Sequence, residues 1–200
     1  EGVAMASKIY PQVSFKLFGN ERLSKVELEK NSEFTNYDFI HTDEKIKSDD
    51  EPVNALRKLK KSSMRLGINN VADNVSHGFV SAGNTGALMA ISKFVLKTIK
   101  GVNRPAIAGL MPTMKGQTVV LDLGANVDCS NDNLVQFALM GDIFSQLVLG
   151  IKKPKIGLLN VGSEHIKGNI IVKQTFNDLK KISSKINFFG FIEGNDINKG

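Results

Sequence analysis

The sequence predicts an α/β protein with a three-layer α/β/α arrangement, in which helices cover both faces of a mostly parallel sheet. Two observations support this prediction. Short apolar runs typical of strands alternate along the chain with longer runs at helical spacing. The strand-like runs are continuously apolar, as in parallel strands that are buried on both faces. Because the alternation extends over the whole sequence, residues 1–200 are interpreted as a single α/β domain.

Glycine, proline and polar clusters set the limits of the elements. Gly19 ends the first strand, and Gly101 and Gly150 follow the ends of two helices. Predicted strands span Val13 to Phe18, Tyr37 to His41, Gly78 to Ser81, Ala106 to Met111, Thr118 to Leu123, Lys155 to Val161 and Ile186 to Ile192. Predicted helices span Lys58 to Asp73, Gly86 to Ile99, Asn133 to Leu149 and Asn169 to Ile182.

Composition narrows the class of protein and its partners. Of the 200 residues, 42% are hydrophobic and 23% are charged, which indicates a globular chain. The formal net charge of +6 favours anionic partners: phosphate esters, acidic carrier proteins, anionic lipid surfaces or nucleic acid. Cys129 is the one cysteine, so a disulfide framework is excluded and a reducing cytosol is the simplest location.

The segment from Ser81 to Gly86, called the Ser81–Gly86 turn, follows a predicted strand and begins a helix. Backbone N–H groups at a helix start favour an anion. Side-chain donors and flexible glycines add to this, and the candidate substrate-binding residues are Ser81, Gly83, Asn84, Thr85 and Gly86. An ordinary helix cap supplied by Asn84 or Thr85 is an equal alternative.

Polar residues also lie at the end of the predicted strand from Thr118 to Leu123. They belong to the segment from Asp122 to Asp128, which is called the Asp122 loop. Asp122, Asn126 and Asp128 are candidates for positioning a substrate or a metal, although two carboxylates without a nearby histidine are a weak metal signal. Capping of the following helix by Asp128 or Ser130 is the alternative. Arg104 is interpreted either as a phosphate anchor or as a partner of a carboxylate.

A third polar segment, from Asn160 to Asn169, is called the Asn160 loop. Its candidate residues are Asn160, Gly162, Lys167 and Asn169. Lys167 precedes Gly168, so its ammonium group is accessible to an anion. A solvated ion pair between Lys167 and Glu164 is the alternative, and Glu164 and His165 are possible acid–base groups.

A series of runs resembles one known family. The runs are Asp50 to Val53, Lys61 to Met64, Val80 to Ala90, Arg104 to Ala106, Asp122 to Cys129, Gln136 to Ala138, Gly157 to Gly162, Lys167 to Asn169 and Gly190 to Gly194. In this order they resemble the acyl-ACP:phosphate acyltransferase family of bacterial phospholipid synthesis, the PlsX type. An N-terminal strand and loop and a C-terminal segment of that family have no match here. The sequence is therefore expected to be part of a longer acyltransferase domain.

The resemblance implies a reaction and a set of partners. The reaction is acyl transfer from acyl carrier protein (ACP) to inorganic phosphate, without a cofactor or a metal. The product would feed a membrane acyltransferase that acylates glycerol 3-phosphate. The resemblance further implies a fold like those of phosphotransacetylase and isocitrate or isopropylmalate dehydrogenase, a homodimer, and a cytoplasmic location with peripheral membrane contact. The candidates for contact with the carrier or the membrane surface are Lys58, Lys60, Lys61, Lys97 and Lys100.

This chemistry fits the candidate residues. Phosphate is already an anionic nucleophile and a thiol leaves readily, so the protein has to align its partners and stabilise an oxyanion. We expect Lys167, Asn126 and Asn160 to be catalytic, with the Ser81–Gly86 turn, Arg104 and the remaining loop residues binding substrate. The alternatives are a coenzyme A-dependent phosphate acetyl- or butyryltransferase and a non-catalytic basic module. Aromatic residues are only 7% and Trp is absent, which argues against nucleic acid.

Overall fold

Helices and strands alternate along the chain in the computed structural model, which describes residues 1–164 and 166–200. The chain divides into two compact units, Glu1–Lys97 and Thr98–Gly200. Each unit combines helices with small two-stranded sheets, so the predicted α/β class is confirmed. The three-layer arrangement and the single-domain organisation stay predictions.

The first unit contains two parallel strands and five helices among its described residues. In chain order they are α1 (Gly2–Ile9), β1 (Phe15–Gly19), α2 (Glu21–Glu29), β2 (Tyr37–His41), α3 (Pro52–Lys58), α4 (Ser63–Ala72) and α5 (Thr85–Val95). The strands β1 and β2 pair in parallel, with Phe15 opposite Tyr37 and Gly19 opposite His41. Aromatic packing supports the start of this pair, because Phe34 contacts the rings of both Phe15 and Tyr37.

The core of the first unit lies among α3, α4 and α5. Its buried residues are Ala55, Met64, Ile68, Ala87 and Ile91. Small side chains on α3 and α5 allow these helices to approach closely, while Ile68 and Ile91 are the large side chains of this cluster that are fully buried. Full burial of such a side chain stabilises a fold by about 1.5–3 kcal/mol, so these residues hold the start of α5 in place.

The predicted strand from Gly78 to Ser81 is wrong, because these residues have no strand partner among the described residues. Side-chain packing holds the segment instead. Phe79 lies against Gly67 of α4, where any Cβ atom would overlap its ring, and its ring also meets Phe18 edge-on at 6.4 Å. The segment therefore enters the Ser81–Gly86 turn over the surface of α4.

The second unit contains a hairpin, a parallel strand pair and two helices in its described part, which omits residue 165. In chain order they are β3 (Gly109–Thr113), β4 (Gly116–Val120), α6 (Asn131–Leu149), β5 (Lys155–Leu159), α7 (Ile170–Lys181), β6 (Asn187–Ile192) and a final 3-10 helix (Gly194–Lys199). The pair β5–β6 is parallel, as predicted, with an irregular register between Ile156 and Gly157. The pair β3–β4 is antiparallel, which departs from the mostly parallel prediction.

Capping residues explain the limits of α6. Ser130 and Asn133 form a reciprocal capping box, so the helix begins at Asn131, two residues before its predicted start. Gly150 ends it in the left-handed region at φ +68°. No helix within residues 1–164 and 166–200 is long and apolar enough to cross a membrane.

The interior of the second unit lies where α7 meets the parallel strands. Leu179 and Thr175 are fully buried on α7, and Phe176 contacts the rings of both Phe188 and Phe191 of β6. These contacts fix the β5–β6 pair, so the loops that follow the two strands start from a rigid base.

Candidate functional site

Asn84 organises the Ser81–Gly86 turn with both ends of its side-chain amide. Its Oδ1 atom accepts a hydrogen bond of 2.9 Å from the Ala87 amide, which makes Asn84 the N-cap of α5. Its Nδ2 atom donates to the carbonyl oxygens of Lys47, Ser48 and Asp50 at 3.1, 3.1 and 2.9 Å. The side chain is therefore engaged by the protein itself, and it ties α5 to the 47–50 segment.

The glycines of this turn have packing roles. A Cβ atom on Gly86 would lie 2.8 Å from Cγ of Pro52, the first residue of α3. A Cβ atom on Gly83 would lie 3.3 Å from Cε of Met64. Because real Cβ contacts are essentially never as short as the first, Gly86 allows α5 to approach α3. From the sequence alone, the glycines of this turn were predicted only to help bind an anionic ligand.

Hydrogen-bonding groups remain exposed at the same helix start. Thr85 is exposed, and the first amides of α5 have no intrahelical acceptor. Ser81 Oγ accepts a hydrogen bond of 3.1 Å from the Gly83 amide, which closes the turn. The donors available to an anion are therefore the backbone N–H groups of Thr85 and Gly86 and the Thr85 hydroxyl, because the Ala87 amide and the Asn84 Nδ2 atom already have protein partners.

In the second unit, Asp122 holds the Asp122 loop against the chain that precedes β3. Its Oδ1 atom accepts from the Ile107 amide at 2.7 Å, and its Oδ2 atom accepts from the Asn126 amide at 2.7 Å. The Asn126 Nδ2 atom donates to the Pro105 carbonyl at 2.9 Å. Asp122 and Asn126 thus connect two chain segments, and the position of Asn126 is set by these bonds.

Two further residues lie beside the end of the Asp122 loop. Arg104 contacts its last residue, Asp128, and Cys129 follows Asp128 in the chain. Arg104 Nη1 donates to the Asp128 carbonyl at 3.0 Å, so the guanidinium fixes the backbone and not the Asp128 carboxylate. Burial, and then the negative charge of Asp122, raise the pKa of the Cys129 thiol. A raised pKa disfavours the thiolate, which is the nucleophilic form of a cysteine, so Cys129 is better described as a small, partly buried side chain.

The Asn160 loop follows the carboxyl end of β5, and the Asn160 side chain closes it. Asn160 Nδ2 donates to the Gly162 carbonyl at 2.9 Å and to the Lys167 carbonyl at 3.3 Å. Gly168 has φ +87°, and a Cβ atom there would overlap Asn160 Oδ1. The loop conformation therefore requires both Asn160 and Gly168.

Lys167 forms an ion pair with Glu164 inside this loop. This pair is the alternative to anion binding that the sequence analysis left open. The Nζ–Oε1 distance is 2.8 Å, and about half of each side chain is exposed, at 48% and 53%. The hydrogen bond and charge of Glu164, followed by the charge of Glu193, raise the pKa of Lys167. The ammonium is thus charged, accessible and held at a defined position.

Glu193 joins the Asn160 loop from the neighbouring strand. It follows the carboxyl end of β6, and its Oε1 atom accepts from the Ser163 amide at 3.2 Å. Loops after adjacent parallel strands meet at one edge of a sheet, where α/β proteins bind ligands. The contact of Glu193 with Ser163 spans 30 residues, so no local pattern in the sequence indicates it.

The remaining candidates in this loop are structural at their observed positions. Asn169 caps α7 by accepting from the Val172 amide at 2.9 Å. Gly162 is buried, and a Cβ atom there would overlap the Lys167 and Glu164 side chains. His165, a possible acid–base group, lies outside the described residues. Among the described residues, no hydrogen bond or ion pair joins the Asp122 loop to the Asn160 loop.

The structure thus brings Asn160, Gly162, Lys167 and Glu193 together, and separately Arg104, Asn126 and Asp128. Convergence of the Ser81–Gly86 turn with these loops stays a prediction. An α/β fold with polar loops after a parallel strand pair defines a class of proteins that bind ligands at strand carboxyl ends. Within this class the chain belongs to the family described as "Fatty acid synthesis protein", whose model matches residues 1–200.

Relatives from several bacteria support this membership. The chain is 50% identical over 198 residues to a protein named phosphate acyltransferase from Paramagnetospirillum magneticum, covering 98% of this chain and 56% of that protein. It is 48% identical over 204 residues to the protein of the same name from Magnetococcus marinus, covering 100% and 58% of the two chains. The chain therefore spans a little over half the length of the curated relatives that it matches.

Proposed function

We propose that the protein to which this chain belongs transfers an acyl group from acyl-ACP to inorganic phosphate, giving acyl phosphate for phospholipid synthesis. The observation that carries the proposal is the likeness over the whole chain to relatives named phosphate acyltransferase, at up to 50% identity in the two compared above. The accessible, charged Lys167 at the carboxyl end of a parallel strand pair agrees with an anionic substrate.

The proposed chemistry needs no covalent enzyme intermediate. A phosphate oxygen attacks the thioester carbonyl, the tetrahedral oxyanion collapses, the C–S bond breaks, and the carrier thiol leaves with a proton. A thiol has a pKa of about 8.5 and is a good leaving group. The main tasks of the protein are alignment of the two substrates and stabilisation of the oxyanion. Burial raises the pKa of the Cys129 thiol, which agrees with a mechanism without a cysteine nucleophile.

We propose two roles for the site residues: Lys167, Asn160 and Asn126 act in catalysis, and the others bind substrate. Lys167 is proposed to bind phosphate or the oxyanion directly, exchanging its contact with Glu164 for one with the substrate. Asn160 and Asn126 are proposed to act near the reacting groups, each oriented by the backbone carbonyls that it contacts. Arg104, Asp128, Gly162, Asn169 and the Ser81–Gly86 turn are proposed to shape the substrate-binding surface, with Thr85 and the first α5 amides as donors.

Further parts of the proposal concern fold and partners. We include a fold like those of phosphotransacetylase and isocitrate or isopropylmalate dehydrogenase, a homodimer, and delivery of acyl phosphate to a membrane glycerol-3-phosphate acyltransferase. Leu139, Ile143 and Leu147 support the dimer, because they are spaced four residues apart on α6 and are 36%, 56% and 81% exposed. A cytoplasmic location with peripheral contact to the inner face of the membrane completes the proposal.

The alternatives make different demands on the donor substrate. A phosphate acetyl- or butyryltransferase would use acyl-coenzyme A in place of acyl-ACP, and a non-catalytic basic module would turn over neither. Full-length protein is incubated with phosphate and each donor in turn, and both thiol release and acyl phosphate are measured. Turnover with acyl-ACP alone supports the proposal, turnover with acyl-coenzyme A favours the first alternative, and no turnover favours the second.

Replacement of Lys167 tests the proposed mechanism. We expect Lys167→Ala to lower acyl phosphate formation by about a hundredfold or more, as loss of one oxyanion-stabilising donor does. Lys180→Ala is the matched control, because Lys180 is an exposed lysine of α7 that makes no ion pair with the described residues. Near-normal turnover of Lys167→Ala would remove Lys167 from the proposed mechanism. The proposed acyl transfer to phosphate would still stand.

A further inference from the structure

The second unit contains a groove of about 360 Å³ that lies away from the Asn160 loop. Two of its ten lining residues lie on α6 and the other eight precede β5 or precede and begin β6, whereas the Asn160 loop and Glu193 follow these strands. The strands are parallel, and five residues of strand span about 16 Å at about 3.3 Å per residue. The groove is therefore at the opposite edge of the strand pair from Lys167.

Half of the ten side chains that line this groove are basic or carry hydroxyl groups. We call it the lysine groove, and its polar lining includes Lys152, Lys153, Ser183, Ser184, Lys185 and Asn187. The three lysines are exposed and form no ion pair with any described residue. Three lysines without an ion-pair partner among the described residues thus line one small groove.

Negative groups near the groove do not balance these charges. Asp142 is the one carboxylate in the lining, and its Oδ2 atom accepts from Gln146 Nε2 at 2.8 Å. Helix α6 ends at Leu149, three residues before Lys152, and α7 ends at Lys181, two residues before Ser183. Each helix C-terminus carries about half a negative charge. The lysines carry three positive charges, and Asp142 with the two helix ends carries about two negative charges. The groove therefore has a net charge of about +1.

We propose that the lysine groove binds the phosphoryl group of a small soluble ligand. A groove of this volume accommodates a small molecule, because ligand sites typically measure about 300–1,000 Å³. Lysine and serine supply point charges and hydroxyl donors, which suit the several acceptor oxygens of a phosphoryl dianion. The only apolar residues in the lining are Ile186 and Phe188, and Ile186 is 6% exposed, so an apolar ligand gains little there.

The test is a titration of the isotopically labelled full-length protein with inorganic phosphate, followed by backbone amide NMR at constant ionic strength. We expect saturable shifts at Ser183, Ser184 and Lys185 with phosphate, and not with chloride or acetate at matched ionic strength. The variant Lys152→Gln/Lys185→Gln should weaken this binding by at least about fivefold, the effect of losing two exposed charge contacts. The matched control, Lys25→Gln/Lys180→Gln, removes two exposed lysines outside the groove and should leave the binding unchanged.

Further arms separate this site from other sources of binding. Lys167→Ala should leave the groove shifts unchanged, because the proposed catalytic lysine lies at the other edge of the strands. Equal shifts with acetate, or no saturable shift with phosphate, would overturn the proposal. Binding of the chain to phosphatidylglycerol vesicles through these lysines, without a response to free phosphate, would also overturn it and would assign the groove to a lipid headgroup.

Discussion

Asn84 is a residue whose two functions can be separated by substitution. Its Oδ1 atom caps α5, and its Nδ2 atom contacts the carbonyls of the 47–50 segment. We expect Asn84→Ala to lower the free energy of unfolding by about 2–3 kcal/mol, about 1 for the cap and the rest for carbonyls that lose a partner. Asn84→Ser keeps a capping oxygen but loses the carbonyl contacts, so it should cost about 1–2 kcal/mol. Urea unfolding of the three proteins measures both values.

Asn169→Ala is the matched control for Asn84. Asn169 caps α7 in the same way, through a hydrogen bond of 2.9 Å from the Val172 amide, and its side chain makes no further hydrogen bond with the described residues. Its loss should therefore cost about 1 kcal/mol. Equal losses for Asn84→Ala and Asn169→Ala would contradict a stabilising role of the carbonyl contacts.

At the same scale, the Glu164–Lys167 pair predicts a direction of titration. The hydrogen bond from Lys167, and then the backbone hydrogen bond of Glu164, lower the Glu164 pKa. The contribution of this carboxylate is therefore complete above its ordinary pKa of about 4.3 and is lost as the pH falls through the lowered value. The Lys167 pKa is raised, so its contribution is complete below about 10.4 and is lost only at higher pH.

We predict that the Glu164 carboxyl titrates at a higher pH in Lys167→Ala than in the unmodified chain. Carboxyl-detected NMR between pH 2 and pH 7 measures this value. Asp178 is the internal control, because Lys181 lowers its pKa through a separate hydrogen bond that the substitution leaves in place. A Glu164 titration that stays the same in both proteins would mean that the ion pair does not persist in solution.

At the scale of the element, the sequence predicted those helices and strands whose signals are local. Strand β2 begins and ends where its apolar run does, and α6 ends at Gly150 as predicted, because each depends on residues within a few positions. The segment from Gly78 to Ser81 failed for the opposite reason. Strand formation needs a partner strand, and the apolar character of Phe79 is used by its contact with Gly67.

The candidate loops divide in the same way. The cap at Asn84 was visible because a polar residue before an apolar helix is a local pattern. Its contacts to the 47–50 segment cross 34 to 37 residues, and the contact of Asp122 to Ile107 crosses 15. No local pattern encodes these distances. Sequence therefore located the loops, while the partners that fix their side chains became visible only in the fold.

At the scale of the whole molecule, the excess of positive charge bears on the proposed carrier partner. The chain carries 26 basic and 20 acidic side chains. Lys58, Lys60 and Lys61 are exposed on and after α3, and they make no ion pair with the residues that the structure describes. An acidic carrier protein would be attracted to such a surface over a Debye length of about 10 Å at 0.1 M salt and about 3 Å at 1 M.

We predict that salt and charge removal weaken the interaction with acyl-ACP without changing the chemical step. In the full-length protein, KM for acyl-ACP should rise several-fold between about 0.05 and 0.5 M salt, because surface attraction is screened. Lys60→Gln/Lys61→Gln should raise KM and flatten its salt dependence, with kcat unchanged. The Lys25→Gln/Lys180→Gln control removes the same charge elsewhere and should retain the original KM. A KM that ignores both salt and the Lys60→Gln/Lys61→Gln change would place carrier recognition outside this surface.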